Sequence, residues 1–161
     1  MTAKKTLRSV VIPMDGEPFE KTLESDENGS MLKALQREVE GLIAASGYPF
    51  PYEIALYVND EGLYGCTPNR AVFATREMAE AGCLSEIDGS RLGEGDLAAV
   101  IFGRAVAVGF DPATGEDVDL TDEQAELVKR TFSESGPSRS CSGVLAVMRI
   151  QMGIDVAVAG A

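Results

Sequence analysis

The chain has no histidine and no tryptophan, only three cysteines, and 14 basic residues against 26 acidic ones. Each shortage excludes some chemistry. Without imidazole there is no Ser-His-Asp or Cys-His nucleophile pair, no His-ligated zinc or iron, and no side chain whose ordinary pKa serves base catalysis near neutral pH. A hydrolase built on this chain would have to work through carboxylates, a lysine or a metal-bound water. Cys66, Cys83 and Cys141 stand far apart without a Cys-x-x-Cys pair, which is neither a disulfide framework nor a zinc pattern. A reducing, cytoplasmic setting is therefore expected. The basic start MTAKKTLRSVVIP leads into an apolar run of only about four residues with no small-residue cleavage site, so it does not read as a secretory signal. No stretch approaches the roughly 20 apolar residues of a membrane span. The formal net charge of −12 repels phosphate backbones and anionic lipid, because nucleic-acid affinity rests on Lys and Arg displacing counterions. Direct binding to nucleic acid or membrane is not expected, whereas a basic protein surface would be attracted.

What is present suits one globular domain: 161 residues with 45 % apolar content can bury a core without disulfides or metals. LRSVVIP, the Asp15-Gly16 turn and the alternating stretch through Phe19 and Leu23 predict a β-hairpin. Ser30 can cap a helix in which Leu32, Leu35, Val39, Leu42 and Ile43 recur at helical spacing, ending near Gly47. YEIALYVN reads as a strand, NDEG as a turn, LYGC as a second strand, and Ala71 to Phe73 as another after the interruption at Thr67-Pro68-Asn69. TREMAEAG suits a short helix, and the loop-like EIDGSRLGEGD makes residues 76–96 a candidate insertion. LAAVIFGRAVAVGF, residues 97–110, is the strongest strand signal, central in a sheet, with Gly103 marking a bulge. DPATGED is a turn, and Thr121 opens a helix with a Thr-x-x-Gln capping box, acids in its first turn, and Ala125, Val128 and Phe132 on one face. Residues 136–161 read as a Gly/Ser/Pro linker and an apolar segment, open between a strand pair, a helix, and an edge that mates with another copy. The expected fold is α+β: one domain over residues 1–135, a mostly antiparallel sheet of five or six strands, one main helix on a face and the other beside it.

Three groups of residues are candidate sites. Asn59, Asp60, Asn69 and Arg70, with Arg104, offer amides and guanidinium forks suited to a small anionic ligand such as a nucleotide, although turn chemistry also explains Asn59-Asp60. Asp111, Glu116, Asp117, Asp119, Asp122, Glu123 and Glu126 place seven acids and no base within sixteen residues. They could coordinate calcium or imitate a phosphate backbone toward a basic partner surface, but the spacing lacks a calcium-loop pattern, and a solvated turn with a charged helix N-terminus accounts for most of them. GPSRSCSG, Gly136 to Gly143, could cradle phosphate through backbone N–H groups or hold Cys141 as a thiol beside Arg139, but a flexible linker accounts for its composition. Cys66 is expected to pack in or beside the sheet.

The succession VVIPMDGEPFE, MLKALQREVEGLI, IALYVNDEGLYGCTPNRAVFA and IFGRAVAVGFDPATGEDVDLTDEQAELV resembles the DUF3846 family, a domain of unknown function met mainly in bacteria and their phages and plasmids. The resemblance covers residues 7 to 132 apart from the candidate insertion. It implies an intracellular accessory protein of mobile elements and supplies no catalytic residues. The turn at Asn59, the Pro68-Asn69-Arg70 step, and Gly103, Ala105 and Val108 match its recurrent pattern. The resulting expectation is a non-enzymatic acidic binding protein, without cofactor, that engages a host defence or regulatory protein through a basic surface. The alternative is a binder of a small anionic ligand through Asn59, Asn69, Arg70 and Arg104.

Overall fold

The computed structural model describes residues 4–45, 53–61 and 68–140. Among these described residues eight strands and four helices follow one another as β1 (Thr6–Ile12), β2 (Phe19–Glu24), α1 (Leu32–Val39), β3 (Ile43–Ala45), β4 (Ile54–Asn59), β5 (Pro68–Phe73), α2 (Arg76–Glu80), β6 (Leu97–Phe102), β7 (Ala105–Asp111), β8 (Glu116–Val118), α3 (Asp122–Thr131) and α4 (Pro137–Ser140). β2, β1, β7, β4 and β3 lie in that order in an antiparallel sheet, with β8 also pairing β7, and β5 and β6 form a separate ribbon. The fold is α+β.

Alternation along the central strands explains the layers. Leu7 and Val11 of β1, with Val106 and Val108 of β7, pack against Ala34, Leu35 and Val39 of α1 on one face. Val10, Ile12, Ala105 and Ala107 point the other way, onto Val72 and Ile101 of the ribbon and Ala125, Val128 and Phe132 at α3. A strand segment buried on both faces is mostly apolar, which is why β7 opens on AVAV and β1 closes on VVI, while the buried Ser9 hydroxyl donates to the Lys21 carbonyl. The two longer helices therefore lie on opposite faces rather than side by side. Full burial of a side chain the size of Phe132 contributes about 1.5–3 kcal/mol.

Four boundaries differ from the sequence reading, the first being β5, which starts at Pro68 rather than Ala71. The run of residues 97–110 is two strands in two sheets, parted at Gly103, whose φ of 80° is a turn conformation that glycine adopts at low cost. α1 stops at Val39, because Glu40 is left-handed, and the chain turns into β3, leaving Leu42 61 % exposed. Its N-cap is Met31, although the Ser30 hydroxyl still accepts from the Leu32 N–H at 3.3 Å. The helix opened by Thr121 has the expected reciprocal cap: Gln124 N–H to Thr121 Oγ1 at 3.1 Å, and Thr121 N–H to Gln124 Oε1 at 3.0 Å. β8 follows the residue 111–115 turn. It lies so close to β7 that a Cβ on Gly109 would sit 2.6 Å from the Asp119 carbonyl oxygen. LYGC, Thr67, Cys66, Cys141 and the apolar segment from Val144 lie outside the described residues.

Candidate functional site

Asn69 and Arg70 are brought together by a fault in the ribbon. The β5–β6 register shifts between Pro68 and Arg70, so the strand carries a bulge there. Neighbours that would normally point to opposite faces are re-aimed by such a bulge, and here they bond to each other. Arg70 Nη1 donates to Asn69 Oδ1 at 2.5 Å and to the Pro13 carbonyl at 3.3 Å. Arg70 Nε donates to the Phe132 carbonyl at 3.0 Å, and Nη2 to the Gly16 carbonyl at 2.9 Å and Glu134 Oε2 at 3.2 Å. All five guanidinium N–H groups are thus engaged within the chain. Asn69 is equally saturated: Nδ2 donates to the Ile12 and Gly103 carbonyls at 3.3 and 2.9 Å, while Oδ1 also accepts from Arg139 Nη1 at 3.4 Å. Both side chains are fully buried. Burial, then the adjacent Arg139 cation, pull the Arg70 guanidinium below its ordinary pKa, opposed by Glu134, Glu17 and Asp15.

Arg139 and Ser138 complete this node. Arg139 Nη1 donates to the Asn69 carbonyl at 3.0 Å, Nη2 to Asp15 Oδ1 at 3.3 Å, and the Ser138 hydroxyl to the Ala71 carbonyl at 2.6 Å. Residues 137–140 are therefore docked along β5, where their composition reads as linker.

Asn59 and Arg104 gather elsewhere, at the C-terminal end of α1. Asn59 Nδ2 donates to the Val39 carbonyl at 3.1 Å and its Oδ1 accepts from Glu61 N–H at 2.8 Å. Arg104 Nε donates to the Glu38 carbonyl at 2.9 Å, and its guanidinium pairs with the Glu38 carboxylate at 3.4 Å. Glu38 is buried on the apolar side of α1, and Lys21 joins it at 2.9 Å. A carboxylate in the last turn of a helix opposes the helix dipole, and two cations offset that cost. Gly41 has its own reason here, since a Cβ would fall 2.6 Å from Asn59 Nδ2. The four amide and guanidinium candidates thus form two internal polar clusters, and Asn69 and Arg70 keep no donor for an external anion. Asp60 is exposed beside this cluster.

The acidic tract is spread over the end of β7, β8 and the start of α3. Asp111 closes its own turn by accepting from Ala113 N–H at 2.9 Å. Asp117 accepts from the Tyr57 hydroxyl across β7 at 2.7 Å. Burial pushes the Asp117 carboxyl up and the Tyr57 bond pulls it back, while burial and then Asp117 raise the Tyr57 hydroxyl. Asp119 accepts from Arg8 N–H at 2.7 Å, and Asp122 pairs with the Arg8 guanidinium at 2.6 Å. Arg8 also reaches Glu20 at 2.6 Å, and Lys129 bridges Glu20 and Glu126 at 3.0 and 2.9 Å. Lys129 first and Arg8 second hold the Glu20 carboxyl below its usual range. Glu116 and Glu123 are exposed without an ion-pair partner among the described residues. The tract is a chain of local arrangements rather than one uniform face. Among the described residues no three Cys, Asp or Glu side chains gather as a metal site.

Several contributors escape the sequence. Glu38, Tyr57 and Glu134 are distant in the chain from what they hold, and only Glu38 leaves a trace, as an acid on the apolar side of a helix. No helix of the described residues is long and apolar enough to cross a membrane. No match was found among curated proteins or among solved structures. A family model does match over residues 7–133, which take in both polar clusters apart from Glu134 and the docked residues 137–140: the chain belongs to the DUF3846 family, a domain of unknown function.

Proposed function

We propose that the protein is a non-enzymatic binding module whose acidic exterior engages a partner protein through a basic surface. The observation that carries this reading is how the fold uses its cations. Of the 14 basic residues, Arg8, Lys21, Arg70, Arg76, Arg104, Lys129 and Arg139 each sit in an ion pair with the chain's own carboxylates. Glu24, Glu27, Asp60, Glu61, Glu116 and Glu123 are exposed and have no ion-pair partner among the described residues. These pairs take seven of the 14 cations but only eight of the 26 acids, so the charge left unpaired among the described residues is mostly negative, with Lys4, Lys5, Lys33, Arg37, Arg91 and Arg130 as the exposed cations within it. Such a field accelerates encounter with a basic surface and disfavours phosphate. A defence or regulatory protein that itself acts on DNA has a surface of this kind, since phosphate contacts are made by Lys and Arg. An accessory protein of a phage or plasmid that occupies it is the role we infer.

Affinity capture from host extract, followed by titration with the purified partner, tests the reading. Affinity should fall steeply between low salt and about 1 M salt, where the screening length is about 3 Å. Failure to retain any protein, or an affinity indifferent to salt, overturns it.

A further inference from the structure

Among the described residues the large sheet ends at β2, and its register fixes which backbone groups point outward. Ser25 donates its N–H to the Lys5 carbonyl at 2.8 Å, making those two residues a hydrogen-bonded pair. In the antiparallel register that follows, such pairs recur at every second step, at Leu7↔Leu23, Ser9↔Lys21 and Val11↔Phe19. Arg8 supplies an independent check: its N–H goes to Asp119 and its carbonyl accepts from Leu120, both away from β2. The N–H and C=O groups of Glu20, Thr22 and Glu24 therefore face the outer edge, which no described strand pairs. All three residues are exposed.

Open edges are commonly guarded by a lysine. The lysine of β2 does not guard this one, because Lys21 Nζ is folded back onto both oxygens of Glu38, at 3.1 and 2.9 Å. Phe19, 42 % exposed, stands at the start of the strand as an apolar contact.

We propose that the outer edge of β2 takes up an extended segment of a basic partner protein as an added strand, with Lys or Arg opposite Glu20 and Glu24. This rests on the reading of the protein as an acidic binding module and names the surface it uses. The charges decide against a second copy of the chain. Two β2 strands paired antiparallel about Thr22 set Glu20 of each against Glu24 of the other, and like charges directly opposite are destabilising. A strand with alternating basic residues converts both positions into attractive pairs. Glu20 is partly neutralised by Arg8 and Lys129, whereas Glu24 has no ion-pair partner among the described residues, so Glu24 contributes more to selectivity. The backbone ladder supplies affinity, as in other strand additions.

The probe is an acetylated, amidated heptapeptide alternating lysine with valine, with a glutamate-for-lysine version as control. At low salt the lysine peptide should protect the amides of Glu20, Thr22 and Glu24 from hydrogen exchange, and the control should not. Thr22→Pro removes only an outward N–H, leaves the ladder to β1 intact, and should weaken binding at least about tenfold. Glu24→Lys, which is neutral to backbone shape, should weaken it as well and covers the case in which the proline variant fails to fold. Binding that leaves those three amides unprotected, or that Thr22→Pro and Glu24→Lys do not weaken, overturns the edge and moves basic recognition elsewhere on the module. A dimer of the protein abolished by Thr22→Pro assigns the edge to a second copy and overturns the proposed partner. No binding of the lysine peptide overturns the edge proposal too, and the wider reading falls with it only if affinity capture also retains nothing.

Discussion

The Asn69–Arg70 node and the acidic tract from Asp111 to Glu126 both stand out in the sequence as more polar than their surroundings require, and the fold treats them in opposite ways. The node is one compact object with both side chains fully buried and every donor used. The tract is handled piecemeal: Asp117 by Tyr57, Asp119 and Asp122 by Arg8, Glu126 by Lys129, with Glu116 and Glu123 left in solvent. A polar cluster can thus be a tie between distant segments or a surface for something else. What separates the two is whether its hydrogen-bonding capacity is exhausted inside the chain. Arg70 joins the β1–β2 turn to the end of α3 and to Glu134, so its chemistry is already committed.

Removing the node should have the largest effect. Arg70→Ala strips donors from the carbonyls of Pro13, Gly16 and Phe132 and leaves a cavity in the core. Breaking a buried charged network of this kind costs about 3–5 kcal/mol, each orphaned acceptor adding to it. Urea unfolding should show the loss, and Arg70→Lys should restore little of it, because an ammonium cannot span the same fork of acceptors. A loss below about 1 kcal/mol would mean that the carbonyls rehydrate freely and that the node is not a tie. The next effect concerns the joint that carries the tract. Gly109→Ala places a methyl group 2.6 Å from the Asp119 carbonyl oxygen and 2.8 Å from that of Val118, both backbone atoms that cannot swing aside. Overpacking of this type costs about 1–3 kcal/mol. It should loosen β8 against β7 while leaving the node's own hydrogen bonds in place, visible as faster amide exchange in residues 116–120 only.

Legibility follows the same division between local and distant causes. The α3 cap was readable because Thr121 and Gln124 satisfy each other within one turn. The VVI end of β1 and the AVAV start of β7 were readable because burial on both faces favours apolar side chains there. The break at Gly103 was not, since β6 and β7 are equally buried and only a positive φ separates them. The end of α1 was hidden for a different reason: Leu42 and Ile43 continue the helical period, but the Asn59 side chain takes up the Val39 carbonyl from twenty residues away. Asn69 and Arg70 were conspicuous by type. Their roles were not, because the carbonyls they hold belong to Ile12, Pro13, Gly16, Gly103 and Phe132.

Within the tract, Asp117 should give a smaller and pH-dependent signature. Burial raises its folded carboxyl above the unfolded value near 3.9, so the folded state holds a proton that the unfolded chain has already released. Its contribution to stability is therefore largest in acid and is lost as pH rises through the folded pKa, the reverse of a salt-bridged carboxylate such as Glu20. Relative to Asp117→Asn, the native chain should lose stability over that interval. Tyr57→Phe removes the bond that favours the ionised form, which should move the interval upward and cost about 1 kcal/mol at neutral pH. Unfolding measured at several pH values on all three proteins checks both the sign and the displacement.

The smallest effect on stability should come from Glu116→Gln with Glu123→Gln, and this variant sharpens the contrast most. Neither carboxylate has an ion-pair partner among the described residues, so exchange for a neutral amide of the same shape should change stability by no more than about 1 kcal/mol, the part due to Glu123 being its favourable place in the first turn of α3. If these acids belong to a surface that attracts a basic partner, association should slow and its dependence on salt should flatten, while dissociation changes little, as expected for charges at the rim of a contact. The paired outcome is what matters. A variant equally stable and slower to bind places the two residues outside the fold's own accounts and inside a partner's. One that loses stability as Arg70→Ala does would show that the tract, like the node, is committed within the chain.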